Sequence, residues 1–454
     1  MEVAIVGVLT RIQQRRSQLL DGVRTRLWPV PAMAVLAAVC AGVAIPELDE
    51  AFDDRLPVSV SAYLFGGGSD AARDVLSAVA SSLITVTSLT FSLTVVTLQL
   101  ASQQFSPRLL RTFARDRFVQ LTLAVFLSTF VYALTVLRTV RDSTDDGQAQ
   151  FVPKIAVTVA YLMAVVSVVG LVLFLGHLVR QIRVETLLDT VAGDARQSIR
   201  AATGIAERDE VPAPVAPASA LALTAPSTGF LGSSDADALL AAATAQDVVI
   251  EISEYPGNWL VEGTPLGRVW SRHHRPLTDD ARESVHRCLK EATTIGFERT
   301  SVQDVRYGVR QLTDVAVKAL SPSINDPTTG VYTLGHLSAV LCDLVDRDLD
   351  DVVRCDGDGV VRVILARPGF DLLLDLAIGQ PRRYGAAETA LQAAVLRLLH
   401  DVAWRTSVPA HRAGVARQLS RTRASVAQQD FDATDRQDLE RLALRVEQAL
   451  AGQS

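Results

Sequence analysis

From Val75 to Pro107 the chain runs for 33 residues without an Asp, Glu, Lys or Arg. A segment that long with no charged face belongs inside protein or inside lipid. At 1.5 Å per residue it reaches about 50 Å, well beyond a bilayer core of roughly 30 Å. Phe118–Leu137 and Ile155–Val179 are also long and uncharged enough to cross a membrane. Leu27–Ile45 is a weaker candidate, with Pro29 and Pro31 at its start and Pro46 just past its end. The mean hydropathy of +0.24 fits such stretches and excludes a disordered or low-complexity chain. The expected fold is therefore a membrane α-helical protein of four transmembrane helices (about 27–45, 75–104, 118–137 and 155–179), followed by a C-terminal cytoplasmic α+β domain.

Orientation follows from counting Lys and Arg beside the spans. The N-terminal arm, residues 1–26, holds Arg11, Arg15, Arg16, Arg24 and Arg26. The loop after the second span holds Arg108, Arg111, Arg115 and Arg117. The first loop is acidic, with Glu47, Asp49, Glu50, Asp53, Asp54 and Asp70 against Arg55. This distribution is expected to place both the N-terminus and everything after Arg180 in the cytoplasm. Met1–Thr10 is apolar but carries Glu2 and lacks a basic start, so no signal peptide is expected. The four loop arginines are positioned to meet anionic lipid headgroups, or simply mark topology.

The second span is rich in hydroxyls and amides. At 100° per residue, Ser81, Thr85, Ser88, Ser92, Gln99 and Gln103 fall within about 40° of one line. Thr87, Thr90, Thr94 and Thr97 form a stripe on the opposite side. Two readings stand open for the first stripe: hydroxyls that bond their own helix or pack against a neighbour, or the lining of a water-filled path. Neither stripe contains an ionisable side chain, which argues against a proton relay or a charged selectivity ring.

Residues 180–454 carry 30 basic and 37 acidic residues, a mildly acidic domain and no nucleic-acid surface. The four cysteines, Cys40, Cys288, Cys342 and Cys355, show neither zinc spacing nor a disulfide framework. Residues 184–228 read as a stalk that continues the fourth helix, then a Pro/Ala linker. A small β module follows at 229–271, with strand Val248–Ile252 and turns at Pro256-Gly257 and Glu262-Gly263, then a mainly helical region at 272–454. Thr278 and Ser301 are expected helix caps, Ser301 with Asp304 in a box-like arrangement. Asp304, Gln311, Asp314 and Lys318 read as a solvated helix face, and His273-His274 as a solvated loop. Further helices are expected at about 369–380, 386–406 and 432–450. At the junction of Ser321, Asn325 and Asp326, Asp326 is placed to cap a helix opened by Pro327. Two helix ends meeting there either satisfy each other or bind a small anion.

Two runs carry a resemblance. SLITVTSLTFSLTVVTLQLASQQFSPRLLRTF and the later ERTSVQDVRYGVRQLTDVAVKALSPSINDPTTG resemble a bacterial family of predicted membrane proteins, domain of unknown function 2254. The resemblance spans roughly residues 25–430 and implies four spans with a cytoplasmic C-terminal region. It implies no reaction or ligand. The Pro/Ala linker is longer than the family pattern suggests.

No phosphate-binding loop, dinucleotide motif, nucleophile elbow or HExxH occurs, so an enzyme, a metal and a cofactor are not expected. Expected partners are the lipid bilayer, further copies of this chain, and an ion or small solute. The leading expectation is an oligomeric channel or transport-type protein with a polar-lined second span and a cytoplasmic regulatory domain. A non-conducting scaffold or sensor that recruits a partner is the rival.

Overall fold

The computed structural model describes residues 28–52, 64–104, 116–141, 151–181, 183–204, 211–273 and 275–452. The expectations for the arm at 1–26, for Arg108, Arg111 and Arg115, and for His274 lie outside those residues. The chain divides into two units, Met1–Arg183 and Val184–Ser454.

Four helices long and apolar enough to cross a membrane build the first unit: α1 (Pro29–Phe52), α2 (Ser69–Gln104), α3 (Arg117–Leu137) and α4 (Lys154–Gln181). Helix α3 is its centre. It packs against all three others, and 11 of its 21 residues are buried. One apolar cluster joins Ala72, Leu76 and Ala80 to Tyr132, Ala133 and Val136 and to Ala156, Val157 and Ala160. A second joins Leu93 and Phe118 to Val119, Leu123, Phe174 and Leu178. Helix α1 continues past the expected end at Ile45 and carries Pro46 within it. The extension has a purpose in Asp49, only 1% exposed. Its Oδ2 accepts the backbone N–H of Ile155 at 2.7 Å and of Ala156 at 3.3 Å. These are orphan donors at the start of α4, so a side chain from α1 caps another helix, where its charge meets the positive helix end. Gly42 allows α1 to approach α3, because a Cβ there would lie 2.8 Å from Cβ of Thr135.

The second unit begins with α5 (Val184–Gly204), a new helix rather than a continuation of α4. Its buried stripe, Leu188, Val191, Ala195 and Ile199, belongs to a helix packed on α8 (Arg306–Ala319) and α9 (Pro327–Val345). Gly308 makes that contact possible, since any side chain there would overlap Ala195. A five-stranded sheet has the order β1 (Leu221–Thr224), β5 (Pro265–Ser271), β3 (Val248–Ile252), β8 (Val361–Leu365), β7 (Val352–Cys355). Only the β3–β8 pair is parallel. Its strands thus come from both sides of the 229–271 segment. Alternation sorts the two faces. Val248, Ile250 and Ile252 join a core with Leu239 of α6 (Ala236–Ala245) and with Val285 and Leu289 of α7 (Asp279–Ala292), while Val249, Trp270, Val353 and Ile364 cluster separately. A three-stranded sheet runs β4 (Trp259–Leu260), β2 (Gly229–Ser234), β6 (Thr293–Gly296). Helices α10 (Phe370–Tyr384), α11 (Thr389–Arg405), α12 (Pro409–Ala427) and α13 (Ala433–Leu450) complete the unit.

Several sequence expectations need correction. Ser301 caps no helix, because α8 starts at Arg306 with Val305 at its N-cap and no side-chain cap bond. Asp304 instead turns inward, 1% exposed, and pairs with Arg299. Gln311 is also buried, and of the expected solvated face only Asp314, paired with Arg310 at 2.9 Å, and Lys318 stay half-buried. Strand β1 lies in what read as linker, and α12 was not expected as a helix of its own.

Candidate functional site

The two polar stripes of α2 part company in the structure. Thr87, Thr90, Thr94 and Thr97 are buried, Thr90 completely. Three of their hydroxyls donate to the carbonyl four residues back: Thr87 to Leu83 at 2.6 Å, Thr94 to Thr90 at 2.8 Å and Thr97 to Leu93 at 2.8 Å. Thr90 Oγ1 is the exception, sealed off with no hydrogen-bond partner among the described residues. Ser81, Thr85, Ser88, Ser92 and Gln99 all point out of the four-helix unit. Ser81 donates to the Ala78 carbonyl at 3.2 Å and Thr85 to the Ser81 carbonyl at 3.0 Å. Ser88 and Ser92 make no hydrogen bond to any described residue. Gln103 falls in the last turn of the same helix. Ile84, Leu89, Phe91, Val95, Val96 and Leu100 are exposed around the stripe, so it is a polar lane in an apolar surface.

That lane is costly if only hydrocarbon covers it. A hydroxyl bonded to its own helix is cheap to place in lipid, whereas one with no partner costs a few kcal/mol, about 1–3 on protein mutational scales. Water, another protein surface or, after a χ1 rotation, a carbonyl of their own helix could each meet the Ser88 and Ser92 hydroxyls. Chemically the lane offers hydroxyl and amide dipoles and no charge.

Sequence reasoning missed a polar pair at the end of the first unit. Asp116 caps α3, Oδ1 accepting the Phe118 N–H at 2.8 Å, while its Oδ2 lies 2.6 Å from Nε2 of His177 on α4. The His177 ring rests on Phe118 with centroids 4.6 Å apart. Asp116 stands 61 positions away in sequence, and no local pattern connects them. Arg117, the described member of the basic loop, is exposed at the first turn of α3. Deeper in the unit, Thr129 and Ser167 face each other across α3 and α4 at 3.2 Å.

In the second unit, Ser321, Asn325 and Asp326 come together through backbone and capping bonds, with the Asn325 side chain exposed. Ser321 Oγ donates to the Lys318 carbonyl at 2.7 Å. The N–H of Asn325 donates to the Ser321 carbonyl at 2.8 Å, and that of Asp326 to the Ala319 carbonyl at 2.8 Å. Asp326 then caps α9, its two oxygens accepting the Thr329 N–H at 3.1 Å and the Thr329 hydroxyl at 2.6 Å. Asn325 adopts φ 48°, a left-handed turn that this residue type tolerates. Such geometry is that of a capped helix junction. Elsewhere the buried Arg362 bridges Asp356 at 2.7 Å and Asp247 at 2.8 Å, and its hydrogen bonds hold both carboxyls below the usual aspartate range. Burial, aided by Asp401, pushes the Cys342 thiol up to about 11. Among the described residues no group of three or more His, Cys, Asp or Glu is placed to hold a metal ion.

Comparison with known proteins agrees with the membrane reading. A family described as predicted membrane protein, domain of unknown function 2254, matches residues 24–401. An uncharacterised protein of Mycobacterium bovis is 37% identical over 435 residues, covering 94% of this chain and 81% of its own length. Uncharacterised proteins of two strains of Mycobacterium tuberculosis match with the same identity and coverage. No solved structure matches the chain.

Proposed function

Because the chain belongs to this predicted-membrane-protein family, we propose that it works as a homo-oligomer of channel or transport type, with the outward lane of α2 turned toward neighbouring subunits and lining a path for an ion or small solute. One observation carries the reading: Ser81, Thr85, Ser88, Ser92 and Gln99 face away from their own subunit. Polar groups at membrane depth are tolerated where protein or water meets them. The lane has no ionisable group, so selectivity in such a path rests on hydroxyl and amide dipoles. The arginine distribution supports a reading in which both termini lie in the cytoplasm and the second unit serves as a regulatory domain on that side.

The rival, a non-conducting scaffold or sensor, draws on a specific observation too. Ser81 and Thr85 return their hydroxyls to α2 and need no water, as in a dry subunit contact.

The particle mass in mild detergent, corrected for bound detergent, is the test. A closed symmetric oligomer that passes ions or small solutes after reconstitution is the expected result. A strict monomer overturns the proposal, and an oligomer without flux favours the scaffold.

A further inference from the structure

The outward lane of α2 begins before Ser81. At 100° per residue, Asp70, Asp74 and Ser77 fall within about 40° of the line through Ser81, Ser88, Ser92 and Gln99. All three are exposed, as the lane residues are. Asp70 and Asp74 stand four residues apart, so their carboxylates are neighbours on one helix face. Neither makes a hydrogen bond or ion pair with any described residue. The basic residue between them is turned elsewhere: Arg73 is half-buried, and its Nη2 donates to the Val140 carbonyl at 3.3 Å. On the opposite side of the same turns, Ala72, Leu76 and Ala80 pack into the cluster with α3 and α4. The two carboxylates therefore share the side of α2 that its own subunit leaves uncovered.

A helix start accounts for only one of them. Asp70 lies in the first turn, where a negative side chain meets the positive helix end, whereas Asp74 is a turn further along, where that attraction has faded. Asp74 also marks a boundary, as the last charge before the uncharged run. Gln99 lies about 37 Å beyond it at 1.5 Å per residue, enough to cross a hydrocarbon core of roughly 30 Å. The carboxylates thus head the lane at its N-terminal end, and hydroxyls and an amide follow through the span. In a closed oligomer with the lane turned inward, symmetry repeats each aspartate once per subunit. That makes two stacked rings of carboxylates at one mouth of the path, about 6 Å apart along the axis. One-signed charge at a narrow entrance concentrates counter-ions, and rings of Asp or Glu favour cations. The oxygens of the lane suit the same hard ions, which take oxygen ligands.

We infer that Asp70 and Asp74 set the charge sign of what the path carries, and that its substrate is a small inorganic cation. The inference rests on the channel reading above, to which it adds a choice of cation over anion that the uncharged lane does not make.

The test is the zero-current potential of the full chain reconstituted in planar bilayers under a KCl gradient, which reads the permeability of K+ against chloride. Wild type favours K+ by about tenfold or more, the lower end of the enrichment that one-signed charge produces. Asp70→Asn together with Asp74→Asn removes most of that preference. Each single variant removes part of it, which keeps the test decisive if the double variant does not assemble. Glu47→Gln, at an exposed carboxylate of α1 off the lane, leaves the preference unchanged. A wild type that prefers chloride, a K+ preference that survives the double variant, or an equal loss in Glu47→Gln overturns the inference and leaves the channel reading standing. A wild type that passes neither ion nor any small solute overturns the channel reading, and the inference falls with it.

Discussion

Arg362 shows at the scale of one residue how the second unit depends on charge. It is 5% exposed and bridges two aspartates whose folded values lie below their unfolded ones, so both favour the folded state as anions. The stability they contribute is complete above the unfolded value of about 3.9 and is lost as pH falls through their depressed folded values. Arg362→Met is expected to lower the midpoint at neutral pH and to flatten the acid decline below about pH 4. Unfolding followed from pH 7 to pH 3 checks this, and a variant profile parallel to the wild type contradicts it. Legibility at this scale tracks sequence separation. Asp326 with Pro327 was readable as a helix start because cap and helix are neighbours. Asp49 capping α4 was not, since its partners are 106 and 107 positions away. Arg299 and Asp304 are close in sequence, yet Asp304 fitted a helix-face pattern equally well, and only burial separates the two readings.

At the scale of elements, hydropathy found the four membrane helices because lipid leaves a long uncharged run no other comfortable place. Periodicity also found both polar stripes of α2 but could not say which faces inward. Each stripe is uncharged and hydroxyl-rich, and the choice is made by packing, since the threonine side continues the face of Ala72, Leu76 and Ala80 that clusters with α3 and α4. If so, the Thr90 hydroxyl is a liability. Thr90→Val keeps the shape and removes a buried group without a partner, so the midpoint in detergent should hold or rise, by up to about 1 kcal/mol in stability. A loss of more than that amount means the hydroxyl has a partner in the assembled protein. The short strands were harder to see. Strand β2 reads GFLGSS, and its Gly229, with φ 152°, lies so close to the Gly296 carbonyl that a Cβ would sit 2.6 Å from it. A turn-like composition here serves close strand pairing. Strand β7 has only four residues and depends on β8 for its place in the sheet.

For the whole molecule, the sequence separates an uncharged helical half from a mildly acidic mixed half, and the structure divides the chain after Arg183. The candidate site was half legible: its residues were readable from periodicity, while their outward direction needed the packing of α2 on α3 and α4. The central claim is that water reaches the outward lane of α2. The most direct measurement is labelling by a membrane-impermeant thiol reagent in proteoliposomes, with Cys40, Cys288, Cys342 and Cys355 replaced by alanine and single cysteines placed at Ser88, Ser92 or Thr90. The account predicts labelling at Ser88 and Ser92 and none at the buried Thr90. Silence at both Ser88 and Ser92, in protein shown to be inserted and folded, contradicts it.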